Sequence, residues 1–193
     1  AVARSVGAFI FTSTTSVFGA ALVPPPAAPA AWITEEVRPI PKNIYGVTKA
    51  AAEDLCHLFQ RNFALPVIVL RTSRFFPEED DDAGARDSFS DANLKANEYL
   101  FRRVDIEDVV SAHLLALEQA GSAGFARYIV SAPTPFHAED VEDLRQNPAA
   151  VVERRVPDYA REYQRRGWRL PESIDRVYVS ERAIRELGWR PRY

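Results

Sequence analysis

Three short apolar stretches along the chain have the pattern of strands that are buried on both faces. Residues 8–12, 66–71 and 127–131 are nearly continuous runs of apolar side chains, each five or six residues long. Strands of a parallel sheet have this composition because helices cover both of their faces. We therefore predict three strands of one parallel sheet.

Two longer segments between these strands have a helical period. In residues 44–62 one stripe of the predicted helix is formed by Tyr45, Lys49, Ala52, Cys56 and Phe59, whereas Glu53, Asp54 and Arg61 lie off it. In residues 106–119 one side of the predicted helix is formed by Val109, Val110, His113, Leu114 and Leu117. The order strand–helix–strand–helix–strand predicts an α/β fold with right-handed crossovers.

The other segments have weaker patterns. Residues 20–43 contain six prolines, which predicts a long surface loop without a regular element. Residues 72–100 are polar, with an acidic run at 78–82, and we expect a surface excursion with little core. Residues 137–193 alternate short helices with turns, and Gly188 provides the left-handed end of a helix at 182–187.

Composition excludes several classes of protein. An apolar fraction of 47% in 193 residues excludes general disorder and fits one domain or slightly more. No apolar run is long enough for a membrane span, and a net charge of −3 argues against a nucleic-acid surface. A single cysteine, Cys56, excludes an internal disulfide and favours a reducing cytoplasm. The three histidines share no metal spacing, so we predict no metal site.

The sequence contains no methionine and begins with Ala-Val-Ala-Arg, which is neither a signal peptide nor a transit peptide. We expect it to be a piece of a longer chain.

One pair of side chains has the chemistry of a proton-transfer site. Tyr45-Gly-Val-Thr-Lys49 places a phenol and an ammonium four residues apart, on one helix face. The pKa of tyrosine is normally about 10, and a neighbouring cation favours the phenolate, which can then exchange a proton with an alcohol or ketone. The spacing arises by chance in about one chain of this composition in ten. The alternative is a tyrosine at the edge of a core helix with a solvated lysine beside it.

A second hydroxyl is needed to orient the oxygen of such a substrate. A run of five hydroxyl residues, Thr12 to Ser16, follows the first predicted strand. Open parallel sheets bind their ligands at the carboxyl ends of the strands, so this run could reach the same substrate as Tyr45.

The motifs together resemble a known family. The segments that carry the resemblance are Phe9-Ile-Phe-Thr-Ser-Thr-Thr-Ser-Val-Phe-Gly19, Tyr45-Gly-Val-Thr-Lys49, Val69-Leu-Arg71, Arg103-Val-Asp-Ile-Glu-Asp-Val-Val110 and Leu187-Gly-Trp-Arg-Pro191. Their order and spacing resemble the extended short-chain dehydrogenase/reductases, and more narrowly the NAD-dependent epimerase/dehydratase family of UDP-glucose 4-epimerase-like enzymes.

The resemblance implies a fold and three catalytic residues. Residues 1–135 would be the C-terminal half of a Rossmann-type, doubly wound parallel sheet, with an excursion at 72–104, and residues 136–193 part of a small, mixed substrate domain. Tyr45 would be the catalytic acid/base, Lys49 would lower its pKa and hold the nicotinamide ribose, and Thr14 would take the position of the catalytic serine or threonine. The cofactor would be NAD or NADP.

The resemblance also implies partners. The substrate would be a nucleotide sugar, with Arg74, Arg102 or Arg103 on its diphosphate. Relatives pair as homodimers through the Tyr45 helix, whose outer face here offers Val47, Ala50, Ala51, Leu58 and the stem of Arg61.

The sequence departs from the family in one large respect. No glycine fingerprint for a dinucleotide pyrophosphate occurs among its eight glycines. We therefore expect these residues alone to be inactive, as a fragment of an NAD(P)-dependent sugar-nucleotide epimerase or related oxidoreductase. The alternative is a catalytically silent relative with a binding or regulatory role.

Overall fold

The computed structural model describes residues 1–77 and 83–193. The described residues form five strands, β1 (Phe9–Thr14), β2 (Ala31–Ile33), β3 (Val67–Thr72), β4 (Phe125–Val130) and β5 (Arg176–Tyr178). They also form eight α-helices, α1 (Ile44–Phe63), α2 (Ala83–Ser88), α3 (Asp91–Tyr99), α4 (Ile106–Ala123), α5 (Val141–Gln146), α6 (Pro148–Arg155), α7 (Tyr159–Arg166) and α8 (Glu181–Leu187).

The main sheet is parallel and has the strand order β1-β3-β4. All six residues of β3 are buried because this strand lies between the other two. The three strands and the α1 and α4 helices occur where the sequence predicts them, and the predicted α/β class with a parallel sheet is confirmed.

Helices cover both faces of this sheet. Val67 and Val69 of β3 pack in one cluster with Cys56 of α1. Ile68 and Leu70, which alternate with them, belong to a second cluster that contains three alanines of α4 and the buried side chains of α8. The alternation of β3 residues between two apolar clusters is the pattern of a doubly wound sheet.

The predicted face of α4 is wrong in part. Val109 is buried, but Val110, Leu114 and Leu117 are more than half exposed. The buried side is instead formed by Asp108, Val109, Ala112, Ala116 and Ala120. Small side chains allow the helix to approach the sheet closely, and a search for large apolar residues misses that face.

Two predicted irregular segments contain regular structure. The proline-rich segment 20–43 includes β2, which pairs in parallel with β5 in a separate two-stranded sheet. The segment 72–100 includes α3, so the prediction of little core is wrong for its described part. Leu94, Asn97 and Glu98 of α3 are buried, and the Asn97 amide donates to the carbonyl oxygen of Arg169 at 3.0 Å. The acidic run at 78–82 lies outside the described residues.

The carboxyl-terminal segment is fastened to α4. The buried Asp108 carboxylate accepts hydrogen bonds from the backbone N–H groups of Arg192 and Tyr193, at 2.8 and 3.1 Å. The indole N–H of Trp189, also buried, donates to the Asp108 carbonyl at 3.0 Å. The predicted end of α8 is confirmed, because Gly188 adopts a left-handed conformation with φ +67°.

Candidate active site

A cleft of about 820 Å³ lies at the carboxyl ends of β1 and β3 and beside the start of α1. This is the edge at which open parallel sheets bind ligands. The cleft is lined by Thr12, Ser13, Thr14, Thr15, Ser16, Asn43, Tyr45, Lys49, Thr72, Ser73, Arg74, Phe75, Phe76, Glu98, Arg102, Arg176 and Tyr178. The structure thus brings the predicted Tyr45, Lys49 and Thr14 into one cavity.

The first turns of α1 present Tyr45 and Lys49 to this cleft. Asn43 caps the start of the helix, because its side-chain oxygen accepts the N–H of Gly46 at 2.8 Å. A Cβ at Gly46 would lie 2.9 Å from the Ser16 carbonyl oxygen, so only glycine permits this close approach of α1 to the segment after β1. The cap and the close approach fix the position at which the helix enters the site.

Lys49 bridges the helix and the first strand. Its ammonium donates to the Thr12 carbonyl oxygen at 2.8 Å and lies 5.8 Å from the centroid of the Tyr45 ring. The ammonium also lies 5.0 Å from the centroid of the Phe11 ring. Its cation is therefore held beside the phenol, which is itself half exposed.

The hydroxyl residues after β1 have different partners. Thr14 accepts the N–H of Ser16 at 3.1 Å, and a hydroxyl with this bond still carries a proton to donate. Ser13 donates to the carboxylate of Glu53 at 2.6 Å. Thr12 Oγ1 lies 2.7 Å from His113 Nε2, and the other ring nitrogen lies 2.8 Å from the Val109 carbonyl oxygen. Of the three, Thr14 keeps its hydroxyl proton for a ligand.

The predicted substrate arginines divide into two groups. Arg74 and Arg102 line the cleft, whereas Arg103 does not. Arg103 is buried, donates to the Glu98 carboxylate at 2.8 Å and binds the Phe76 carbonyl. The Arg103 guanidinium therefore connects two residues of the cleft wall and does not point into the cavity.

Sequence reasoning missed three groups at the site. Arg176 and Tyr178 reach the cleft from β5, a strand too short to have a recognisable period. Glu53, which the sequence pattern places off the stripe of Tyr45 and Lys49, is buried beneath the cleft. The basic partners of Glu53, Arg71 and Arg127, lie on strands that are distant in the sequence. An arginine within each of these apolar strands is the one feature of the sequence that could have indicated a buried carboxylate partner.

A further group of titratable residues lies behind β4, away from the cleft lining. Burial raises the pKa of Tyr128 to about 12, and the negative charge of Glu186 adds to the effect. Burial also raises the pKa of Glu35, although the N–H of Ile129 donates to its carboxylate at 2.8 Å and opposes the shift. These groups connect α8 and the segment after β2 to the sheet.

No group of three potential metal ligands occurs within residues 1–77 and 83–193. Among the helices of the same residues, none combines the length and apolarity needed to cross a membrane.

Comparison with known sequences assigns the chain to a family. Residues 1–129, about two thirds of the chain, match the profile of the NAD dependent epimerase/dehydratase family. The chain belongs to this family. The predicted resemblance is therefore confirmed.

Curated relatives in this family are longer than the chain. A GDP-6-deoxy-D-mannose reductase from Pseudomonas aeruginosa is 29% identical over 203 residues, covering 96% of this chain and 61% of the reductase. The protein YtcB of Bacillus subtilis, an uncharacterised UDP-glucose epimerase, is 34% identical over 68 residues, which are 35% of this chain and 19% of that protein.

Solved structures agree on the Rossmann-type fold. The structure of RMD from Pseudomonas aeruginosa, complexed with NADPH, has a TM-score of 0.56 at 25% identity and covers 98% of this chain and 63% of its own. A short-chain dehydrogenase/reductase superfamily protein from Agrobacterium tumefaciens, with bound NAD, has a TM-score of 0.61 at 19% identity, over 100% of this chain and 64% of its own.

Two side chains of the cleft have the chemistry to hold part of a nicotinamide dinucleotide. The Lys49 ammonium has three N–H donors, of which one binds Thr12, and the Tyr45 phenol adds a further hydroxyl at the same cleft. This donor set suits the hydroxyls of a ribose. The 193-residue sequence has no glycine fingerprint for the pyrophosphate, so the fit concerns one end of the dinucleotide.

Proposed function

We propose that the chain carries the catalytic acid/base of an NAD(P)-dependent sugar-nucleotide epimerase or reductase. The observation that carries the proposal is the Lys49 ammonium, bound to Thr12 and held beside the exposed phenol of Tyr45 in a cleft that also contains Thr14. Family membership and the named activities of the relatives support it. Because the chain spans 61% of the curated reductase, the activity belongs to the intact protein.

The three side chains have separate roles in this mechanism. When bound, NAD(P) supplies the acceptor and donor of hydride. Tyr45 takes the proton from a secondary hydroxyl of the substrate as it is oxidised, and returns a proton when a ketone is reduced. The Lys49 cation stabilises the phenolate, and its remaining N–H groups hold ribose hydroxyls. Thr14 donates its hydroxyl proton to the same substrate oxygen and so orients it.

The cationic lining of the cleft supports a phosphorylated substrate. Lys49, Arg74, Arg102 and Arg176 line it, against one carboxylate, Glu98, which is buried and paired. Guanidinium groups suit the paired oxygens of a diphosphate. We propose a nucleotide sugar, with Arg74 and Arg102 near its diphosphate.

Variants of the intact protein test the mechanism. We expect Tyr45→Phe to abolish turnover of a nucleotide sugar, and Thr14→Val to cost about 3–4 kcal/mol of transition-state stabilisation, a loss of about 100- to 1,000-fold in kcat. Thr14→Ser keeps the hydroxyl and should retain most activity. Tyr193→Phe, at an exposed position, is the matched control.

A titration of NADPH fluorescence separates the proposal from its alternative. Saturable binding without turnover of any nucleotide sugar would favour a silent binding protein. Wild-type turnover by Tyr45→Phe would show that the proton-transfer assignment is wrong.

We further propose that the intact protein is a cytoplasmic homodimer that pairs through α1. The outer face of this helix leaves Val47, Leu55 and Leu58 exposed by 44–55%. Such a contiguous apolar face is characteristic of an interface. Leu58→Glu should shift the mass measured by light scattering from dimer to monomer, whereas Leu114→Glu, at a comparably exposed site on α4, should not. A wild-type protein that is monomeric at micromolar concentration would contradict the proposal.

A further inference from the structure

One buried carboxylate beneath the cleft binds all three strands of the main sheet. Glu53 of α1 accepts the hydroxyl of Ser13 in β1 at 2.6 Å and the guanidinium of Arg71 in β3 at 2.7–3.2 Å. The guanidinium of Arg127 in β4 lies 3.3 Å from the same carboxylate. Glu53 and Arg71 are only 2% and 3% exposed. We call these four residues the Glu53 cluster.

The Glu53 cluster lies next to the catalytic groups on both elements. On α1, Tyr45, Lys49 and Glu53 are spaced by four residues and share one face of the helix. On β1, Ser13 lies between Thr12, which binds the Lys49 ammonium, and Thr14. Lys49–Thr12 and Glu53–Ser13 are therefore two successive bonds between the same helix and the same strand end.

Ser13, the partner of Glu53 on β1, is held in place by its neighbours on β3. Ser13 is paired with Arg71 in the sheet register, and the Thr72 hydroxyl donates to the Ser13 carbonyl oxygen at 3.0 Å. The Arg71 guanidinium also lies over the Phe18 ring, 4.9 Å from its centroid. A rotation of α1 about its axis would have to break the Glu53 bonds to the sheet.

Stability alone does not account for such a cluster. Buried ion pairs are costly to desolvate, and apolar residues of similar volume in their place are often neutral or stabilising. Arg71 Nη1 is also buried and has no hydrogen-bond partner among the described residues, so its desolvation lowers the stability further. The cluster instead fixes an orientation, because a guanidinium that donates two hydrogen bonds to a carboxylate holds it in one geometry.

We propose that Glu53, held by Arg71 and Arg127, is a positioning residue. It sets the rotation and height of α1 so that Lys49 reaches Thr12 and Tyr45 shares the cleft with Thr14. The effect that we expect of Glu53 on turnover rests on the proposed function. The effect that we expect on the position of Lys49 does not. A misplacement of about 1 Å at a reacting group can cost on the order of 100-fold in rate.

The position of Lys49 can be followed without any substrate. The chain has three lysines, Lys42, Lys49 and Lys95, and selective ¹³C labelling of lysine Cε makes each visible by NMR in the intact protein, with assignment by Lys→Arg variants. In Glu53→Gln we expect the Lys49 signal to move towards that of a solvated lysine, with Lys42 and Lys95 unchanged. Asp140→Asn is the matched control, because it removes another buried carboxylate with arginine partners outside the cleft lining.

A double variant separates positioning from folding. Glu53→Met with Arg71→Met removes the buried charges at similar volume and should leave the midpoint of urea unfolding near that of the wild type. We expect the Lys49 signal to move in this variant too, and kcat to fall about 100-fold with little change in KM.

The outcomes distinguish the two proposals. An unmoved Lys49 signal in both variants, or a full kcat in a folded double variant, would overturn the positioning role. A moved signal in an intact protein that turns over no nucleotide sugar would leave the positioning role standing and reject the proposed function.

Discussion

At the scale of single residues, two glycines determine how closely the segment after β1 approaches α1 and the residues just before it. Gly19 has φ +51°, and a Cβ there would lie 2.0 Å from the Ile40 carbonyl oxygen. Gly46 has the close approach to Ser16 described above. The Gly19 contact places the segment after β1 against residues 40–41, just before α1, and the Gly46 contact places it against the first turn of α1. The relative positions of the Tyr45 phenol and the hydroxyl run therefore depend on residues without side chains.

Gly19→Ala should therefore be strongly destabilising. The added methyl would meet backbone atoms that cannot move independently, and the backbone conformation of Gly19, φ +51° with ψ −108°, adds about 1–3 kcal/mol by itself because residues with a Cβ rarely adopt it. We expect a total loss of more than about 3 kcal/mol in the free energy of urea unfolding. Gly167→Ala is the control: φ is +66° but nothing lies within 4 Å, so it should lose only the conformational part. Equal losses in the two variants would contradict the steric explanation.

The sequence is sufficient to predict that Tyr45 and Lys49 lie together, but not to predict the buried Glu53 that lies behind them. Tyr45 and Lys49 are four residues apart in a predicted helix, so local geometry alone brings them together. The end of the first strand offers five hydroxyl residues, Thr12 to Ser16, and the choice of Thr14 among them rests on the family resemblance. Glu53 could not be predicted as buried, because a charged residue on a helix is normally solvated. Its burial depends on arginines from β3 and β4, and such pairing is a property of the tertiary fold.

At the scale of elements, the sequence predicts the long strands and helices but not the short ones. β1, β3, β4, α1 and α4 are predictable because each repeats its pattern over at least six residues. β2 and β5 have three residues each, and their strand conformation depends on the hydrogen bonds that they make to each other. α4 shows a further limit: its buried face consists largely of alanine, and its large apolar residues remain outside.

The fastening of the carboxyl terminus to α4 gives a prediction at this scale. Asp108→Asn replaces a charged acceptor of two backbone N–H groups by a neutral one with a single acceptor oxygen. We expect a loss of about 1–3 kcal/mol in the free energy of unfolding. Amide hydrogen exchange at Arg192 and Tyr193 should become faster. Glu107→Gln, one position earlier and exposed, should change neither quantity.

At the scale of the whole molecule, charge is distributed unevenly. The net charge is −3, yet four of the five charged side chains that line the cleft are basic. Outside the cleft lining, the described residues include several ion pairs, and one of them involves the buried carboxylate of Asp140. Its carboxylate accepts the N–H of His137 at 2.8 Å and the guanidinium groups of Arg154 and Arg155, each at 2.9 Å.

The Asp140 cluster should make the stability of the molecule depend on pH in acid. Burial alone would raise the pKa of Asp140, but the hydrogen bonds from Arg155, His137 and Arg154 outweigh it and hold the pKa well below its ordinary value of 3.8. A carboxyl whose pKa is lower in the folded state stabilises the fold above the unfolded pKa. This contribution is lost as the pH falls below 3.8 towards the folded pKa, because the unfolded chain then binds more protons.

Asp140→Asn tests that dependence against a neighbouring carboxylate. Because its arginine partners are partly exposed, we expect a loss of about 2 kcal/mol at neutral pH, measured by urea unfolding. The difference from the wild type should shrink as the pH falls below 3.8, because the unfolded wild-type chain then binds a proton at Asp140 that the folded state does not bind. Asp143→Asn is the control, because Asp143 is mostly exposed and lies 3.4 Å from Arg154, so its loss should be near zero at every pH. A difference between wild type and Asp140→Asn that stays constant down to pH 2 would mean that the cluster contributes packing rather than charge.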